Sequence, residues 1–153
     1  MSSKRRFAFS LIPALIVLFA ATLFLSAGAP AGTLKLELQL VWATNDEKSP
    51  DPKLQLAEED ISKKLKKGFK WKNYFEVRRK AVELNGAEPK KVEMSKKASL
   101  DIKNVGNGKI EVRFFGEGKE VDHRTEPLSN CPLIFGGIAE NETGWFVVVK
   151  PGK

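Results

Sequence analysis

The residues best placed to do chemistry are cations. Lys63, Lys64, Lys66, Lys67, Lys70 and Lys72 crowd ten positions, and Arg78, Arg79 and Lys80 follow closely. Trp71 and Tyr74 are interleaved with them. Such a cluster suits an anionic partner: an acidic glycan, a lipid headgroup surface or another envelope protein. Nucleic acid is the usual partner of a basic stretch, but the export signal described below disfavours it. The structural alternative is that these lysines only solvate a helix end and the outer face of a strand. Cations at a helix C-terminus already have a reason to be there, because they oppose its dipole.

Other chemistry-bearing residues are sparse. His123 is the only histidine, so it cannot head a zinc cluster, which draws on about four N, S or O ligands. As a general base it lacks an identifiable nucleophile, and it reads as an outward strand residue between Asp122 and Arg124. Cys131 is the only cysteine and lies before the apolar Pro132-Leu133-Ile134-Phe135. It reads as a buried core residue; a Cys131-linked dimer is the alternative for an exported chain. Carboxylates two apart, such as Glu120 with Asp122 or Glu140 with Glu142, would serve a hydrolase only if a fold held them across a cleft. Asn141-Glu142-Thr143 matches a glycosylation acceptor in a loop. The chain contains no phosphate-cradling Gly-Lys-Ser/Thr loop, no Cys-x-x-Cys and no Gly-x-Ser-x-Gly. No cofactor and no metal are implied.

These residues sit in a chain of 153 residues, with 26 Lys and Arg against 19 Asp and Glu. That length suits one domain. Ten Phe and three Trp supply enough apolar area for a core, which disfavours disorder. Residues 1–31 have the layout of a secretory signal: Lys4, Arg5 and Arg6, then an uncharged run over 7–25, then small residues ending in Ala29-Pro30-Ala31. An uncleaved anchor is the alternative, since about 20 apolar residues span a bilayer. Membrane contact would then run through residues 7–25. Either way, residues 32–153 form a single exported β-rich domain, periplasmic or extracellular. Its basic excess is confined to residues 53–97, which hold 14 basic and 7 acidic side chains.

The elements follow from periodicity. Leu34, Leu36, Leu38 and Leu40 alternate with polar residues, a strand with one buried face. Asn45 to Pro52 reads as a polar loop. Leu54, Ala57, Ile61 and Leu65 recur at helical spacing, and Gly68 is the natural stop. Phe69, Trp71, Phe75 and Val77 share one strand parity; after Arg79-Lys80 the parity flips to Val82 and Leu84, which predicts a bulge or break there. Asn85-Gly86, Asn107-Gly108 and Gly116-Glu117-Gly118 are turns between further short strands. Residues 131–135 and 145–149 are apolar throughout, as in strands buried on both faces, and 136–144 read as the loop between them. The expected fold is mainly β (α+β): a small antiparallel β-sandwich or partly open barrel with one short amphipathic helix after the first strand.

Leu40-Val41-Trp42-Ala43-Thr44-Asn45-Asp46, Pro50-Asp51-Pro52, the segment from Phe69-Lys70-Trp71-Lys72 through Val77, and the ending from Gly136-Gly137 through Thr143-Gly144-Trp145 to Val149 resemble a group of small exported bacterial proteins. The resemblance implies a bacterial envelope protein and carries no site residues across. The reading is therefore a non-catalytic exported interaction module, possessing a basic face for an anionic partner. A small hydrolase using carboxylates or His123 is the alternative. Mass spectrometry of the exported protein should find a mature chain starting at Gly32; any other start would overturn the cleavage site.

Overall fold

The computed structural model describes residues 32–49 and 51–153. The signal and anchor readings fall outside the described residues, as does Pro50. The elements in order are β1 (Leu34–Thr44), β2 (Gln55–Leu56), α1 (Glu59–Gly68), β3 (Asn73–Leu84), β4 (Lys90–Glu93), β5 (Ala98–Gly106), β6 (Lys109–Gly116), β7 (Lys119–Pro127), a single 3-10 turn (Leu128–Asn130), β8 (Leu133–Ile138) and β9 (Gly144–Pro151).

Leu36, Leu38 and Leu40 of β1 are buried on one face, as their alternation requires. The opposite face is buried too, through Gln39, Val41 and Ala43. Strand β9 repeats this, with Val147 and Val149 on one side and Phe146 and Val148 on the other. The two strands pair antiparallel at the centre of a five-stranded sheet ordered β2-β3-β1-β9-β8. A sheet with two apolar faces needs two covers. The second sheet, β4-β5-β6-β7, covers one face with Met94, Leu100, Ile102, Ile110, Val112 and Phe114. Helix α1 covers the other, setting Ile61 and Leu65 against Val41, Ala43, Tyr74, Phe146 and Val148. The result is a two-sheet antiparallel β-sandwich with one short helix, not a closed barrel.

The hairpin turns form where glycines follow turn-formers. Asn107 and Gly108 have φ of 54° and 68°, and Glu117 and Gly118 have 52° and 79°. Two successive positive φ angles give the primed turn whose twist matches a two-residue hairpin.

Four features differ from the periodicity reading. Helix α1 begins at Glu59, so Leu54 and Ala57 precede it. Gln55 and Leu56 pair with Glu76 and Phe75, and the Ala57 N–H donates to the Tyr74 carbonyl at 2.9 Å. Those bonds to β3 hold the backbone extended where side-chain spacing alone suggests a first helical turn. The bulge in β3 lies at Val77, because Leu40 pairs with Arg78 and Val41 with Glu76, and β3 continues unbroken to Leu84. Phe69 and Trp71 precede β3; they pack on Phe146 with ring centroids 4.6 and 5.8 Å away. Finally, β8 starts at Leu133 and runs through Gly136 and Gly137 to Ile138 at one edge of the sheet, with Leu133 and Phe135 in the inter-sheet core and Ile134 partly buried on the helix side.

Ile61 is fully buried beneath the helix. Ile61→Ala removes the anchor and leaves a cavity, which costs about 2–5 kcal/mol. Urea unfolding should show that loss, whereas Lys63→Ala on the exposed face should leave the midpoint nearly unchanged.

Candidate functional site

The inter-sheet core ends abruptly at one pole of the sandwich. Its last full layer joins Phe135, Val147 and Leu40 in one sheet to Leu100 and Phe114 in the other. Residues paired across antiparallel strands share a face. One step further along, the first sheet presents Gly137, Trp145, Trp42 and Phe75, while the second presents Ala98, Gly116 and, at a bulge in β7, Val121 beside Gly116. Large aromatic side chains on one sheet thus oppose only small ones on the other. A cleft of about 1020 Å³ opens there, lined by Leu40, Ala98, Phe114, Gly116, Gly137 and Trp145 among others.

The aromatic side is a row. Trp42 lies 6.3 Å from Trp145 and 6.0 Å from Phe75 between ring centroids, all tilted by about 30° (34° and 31°). Gly136 makes the wall possible: at φ 133° its missing Cβ would meet the Trp145 carbonyl oxygen at 2.0 Å. Three large apolar residues at the mouth stay in water: Ile138 is 72% exposed, Val121 60% and Trp145 41%. Exposed apolar groups that converge on a concavity mark a place where something binds.

Charged side chains frame the cleft. Arg78, Lys96, Lys97, Glu93, Glu117 and Asp122 line it. Lys97 pairs with Glu117 at 3.1 Å and Asp122 with Arg124 at 2.9 Å. Among the described residues Arg78, Lys96 and Glu93 enter no ion pair.

The nine basic residues singled out from the sequence do not form one face. Lys63 pairs with Glu59 at 2.7 Å on the exposed side of α1. Lys64 donates to the Pro132 carbonyl at 2.6 Å and ties the helix to the segment before β8. Lys66, Lys67, Lys70 and Lys72 are exposed at and after the helix end. Lys80 donates to the Glu93 carbonyl and Lys90 to Glu83, so cations bridge β3 and β4 across the sandwich edge. Arg124 seals the other edge, donating to the Ile134 carbonyl at 2.6 Å and lying 4.2 Å from the Phe135 ring centre. Of the nine, only Arg78 reaches the cleft.

Arg79 is occupied on the helix side. Its guanidinium meets Glu76 at 2.6 Å, Glu58 at 2.7 Å and Glu37 at 3.0 Å. Hydrogen bonds to Glu76, resisted by partial burial and reinforced by Glu58, raise its pKa further above the ordinary arginine range. Lys150 joins Glu58 and Glu37, and the buried Gln39 amide donates to both carboxylates at 3.2 and 3.0 Å. The hydrogen bond from Lys150, assisted by Arg79, pulls Glu58 down from 4.5 to about 2 despite its partial burial. Burial pushes Glu37 up, but Gln39, Lys150 and Arg79 together outweigh it and leave it lowered.

His123 lies on β7, exposed, with Nε2 3.0 Å from Glu111 Oε1, and lines no part of the cleft. That contact lowers the Glu111 pKa. Cys131 is half-buried, packs against the inter-sheet core and precedes β8. Burial raises its thiol pKa, with the Leu133 backbone and Lys64 opposing. Asn141 is exposed in the β8–β9 loop and accepts from Thr143 Oγ1 at 2.6 Å. Among the described residues no three His, Cys, Asp or Glu side chains stand together as a metal site, and no helix is long and apolar enough to cross a membrane.

The sequence reading missed the cleft. Its visible trace was the run of small residues ending otherwise large inner-facing strands: Ala98 before Leu100, Gly116 after Phe114 and Gly137 after Phe135. Comparison with family models, curated proteins and solved structures found no match.

Glu58 titrates far lower folded than unfolded, so its contribution is complete above about pH 4.5 and is lost as pH falls toward about 2. Glu58→Gln should be less stable than the parent at neutral pH, with a flatter stability profile across that acid window. Urea midpoints measured through the window check this; identical slopes in both proteins would contradict it.

Proposed function

We propose that this protein is an exported, non-catalytic binding module and that its ligand enters the cleft between the two sheets. One observation carries the reading. Trp145, Ile138 and Val121 are exposed at the mouth of a cavity whose floor is the end of the hydrophobic core. Leaving that much apolar surface in water costs free energy that a bound partner recovers, at about 25 cal/mol per Å² covered. The cavity matches the upper end of small-molecule sites, which run about 300–1,000 Å³. Export supports the reading from the sequence side, since a signal-bearing chain with a preformed cleft suits capture in the envelope. The basic middle third takes part through Arg78; Lys66 and Lys67 at the end of α1 remain available to an acidic surface on the opposite face of the same sheet.

Gly137 offers a clean test. A Cβ built there meets nothing within 4 Å, and its φ is ordinary, so Gly137→Leu fills the cleft without straining the backbone. Nile red, a neutral dye that brightens in apolar surroundings, should bind the parent saturably at one site. Gly137→Leu should weaken it by at least about tenfold, the effect of a loss of about 1.4 kcal/mol, and should unfold at an equal or higher urea concentration. Equal dye binding by both proteins, or none by the parent, would refute the cleft as a binding site.

A further inference from the structure

We infer that the ligand is an amphiphile: a single acyl chain ending in a carboxylate or similar anion. The inference rests on the cleft being the binding site and names what the cleft selects.

The walls set the chain. Leu40, Phe114, Ala98, Ile138 and Val121 present hydrocarbon, and Trp145 presents the end of the Trp145–Trp42–Phe75 row. Stacked sheets lie about 10 Å apart, each contributing side chains to the gap. Where Ala98 and Gly116 replace a layer of large side chains, the space left is about one side-chain layer thick. A flexible methylene chain fits such a slot and continues the core, each buried methylene adding about 0.8 kcal/mol. A helix, about 10 Å across, is too thick for it. On the floor of the cleft Leu40, Ala98 and Phe114 would offer a sugar's hydroxyls no partner, and each unpaired hydroxyl costs free energy on burial.

The rim sets the head. Lys97 and Glu117 neutralise one another, as do Asp122 and Arg124. Arg78 and Lys96 then face one carboxylate, Glu93, and all three lack an ion pair among the described residues. The balance favours an anion. Arg78 is also placed for it: it pairs with Leu40 across β1 and β3, on the inner face at the end of the apolar floor. A guanidinium beside a hydrocarbon slot is suited to a carboxylate, which it can hold by two parallel hydrogen bonds. The β3 bulge at Val77 reverses parity between Phe75 and Arg78, so both the aromatic row and the cation reach the same face.

The test compares laurate with dodecyltrimethylammonium, which shares the chain length and carries the opposite charge. Titration calorimetry on the purified protein should find one laurate site, tighter than the ammonium probe by about tenfold, as expected for a charge-assisted hydrogen-bonded head. The double variant Arg78→Glu, Lys96→Glu should reverse that order while keeping Nile red. Gly137→Leu should lose both amphiphiles. Equal affinity for the two amphiphiles, or an order unmoved by the double variant, would overturn the anionic head and leave cleft binding standing. Nile red bound in the cleft but undisplaced by laurate would overturn the acyl ligand alone. No Nile red binding would remove the cleft reading and this one together. Sedimentation showing a dimer broken by Gly137→Leu, with no laurate bound, would make the mouth a self-interface and also overturn it.

Discussion

Everything in this fold depends on a sheet that is apolar on both faces. Strands β1 and β9 are buried from above and below, so neither the second sheet nor the helix alone could protect them. The hydrophobic effect then dictates two layers of cover, and each layer is recruited by different residues. Leu36, Leu38 and Leu40 bring in β4 to β7. Val41, Ala43, Phe146 and Val148 bring in α1 with the aromatic cluster of Phe69 and Trp71. The helix is only 10 residues long and would not persist in isolation, so its stability comes from that docking.

Charge plays a different part in each place. Between helix and sheet, Glu37, Glu58, Glu76, Arg79 and Lys150 form one connected group, in which Arg79 and Lys150 favour the ionised forms of Glu37 and Glu58. Gln39 links two of its carboxylates from a buried position, which satisfies its amide protons. At the two open edges of the sandwich, Lys80, Lys90 and Arg124 reach across to backbone carbonyls. An unpaired strand edge is a template for aggregation, and a long cation laid over it occupies the acceptors while keeping the edge solvated. Of the basic residues between 53 and 97, Lys80 and Lys90 are used this way. Lys66 and Lys67, in the last turn of α1, oppose the helix dipole.

The cleft is the counterpart of the close packing elsewhere. Protein interiors fill space at crystal-like density, and the inter-sheet core is continuously buried from Leu84 and Ile102 to Phe114 and Phe135. It stops where Ala98, Gly116 and Gly137 replace large residues on three different strands while Trp145 and Trp42 remain. A mismatch of that kind leaves a concavity with one aromatic wall, open to water at a pole of the molecule.

The sequence by itself determined the strand-rich composition, the period-two face of β1, the position and dipole polarity of the helix, its stop at Gly68, and the hairpins at Asn107-Gly108 and Glu117-Gly118. These are local properties, written in spacing and in the backbone freedom of a few residues. Only the tertiary structure decided where α1 begins, because backbone bonds to β3 claim Gln55 and Leu56 first. It alone separated the nine basic residues: strand parity after the Val77 bulge sends Arg79 to the helix face and Arg78 to the cleft. The cleft itself was illegible for the same reason. Ala98, Gly116 and Gly137 are each unremarkable in sequence, and they become a cavity only when pairing registers bring them to the same level between two sheets.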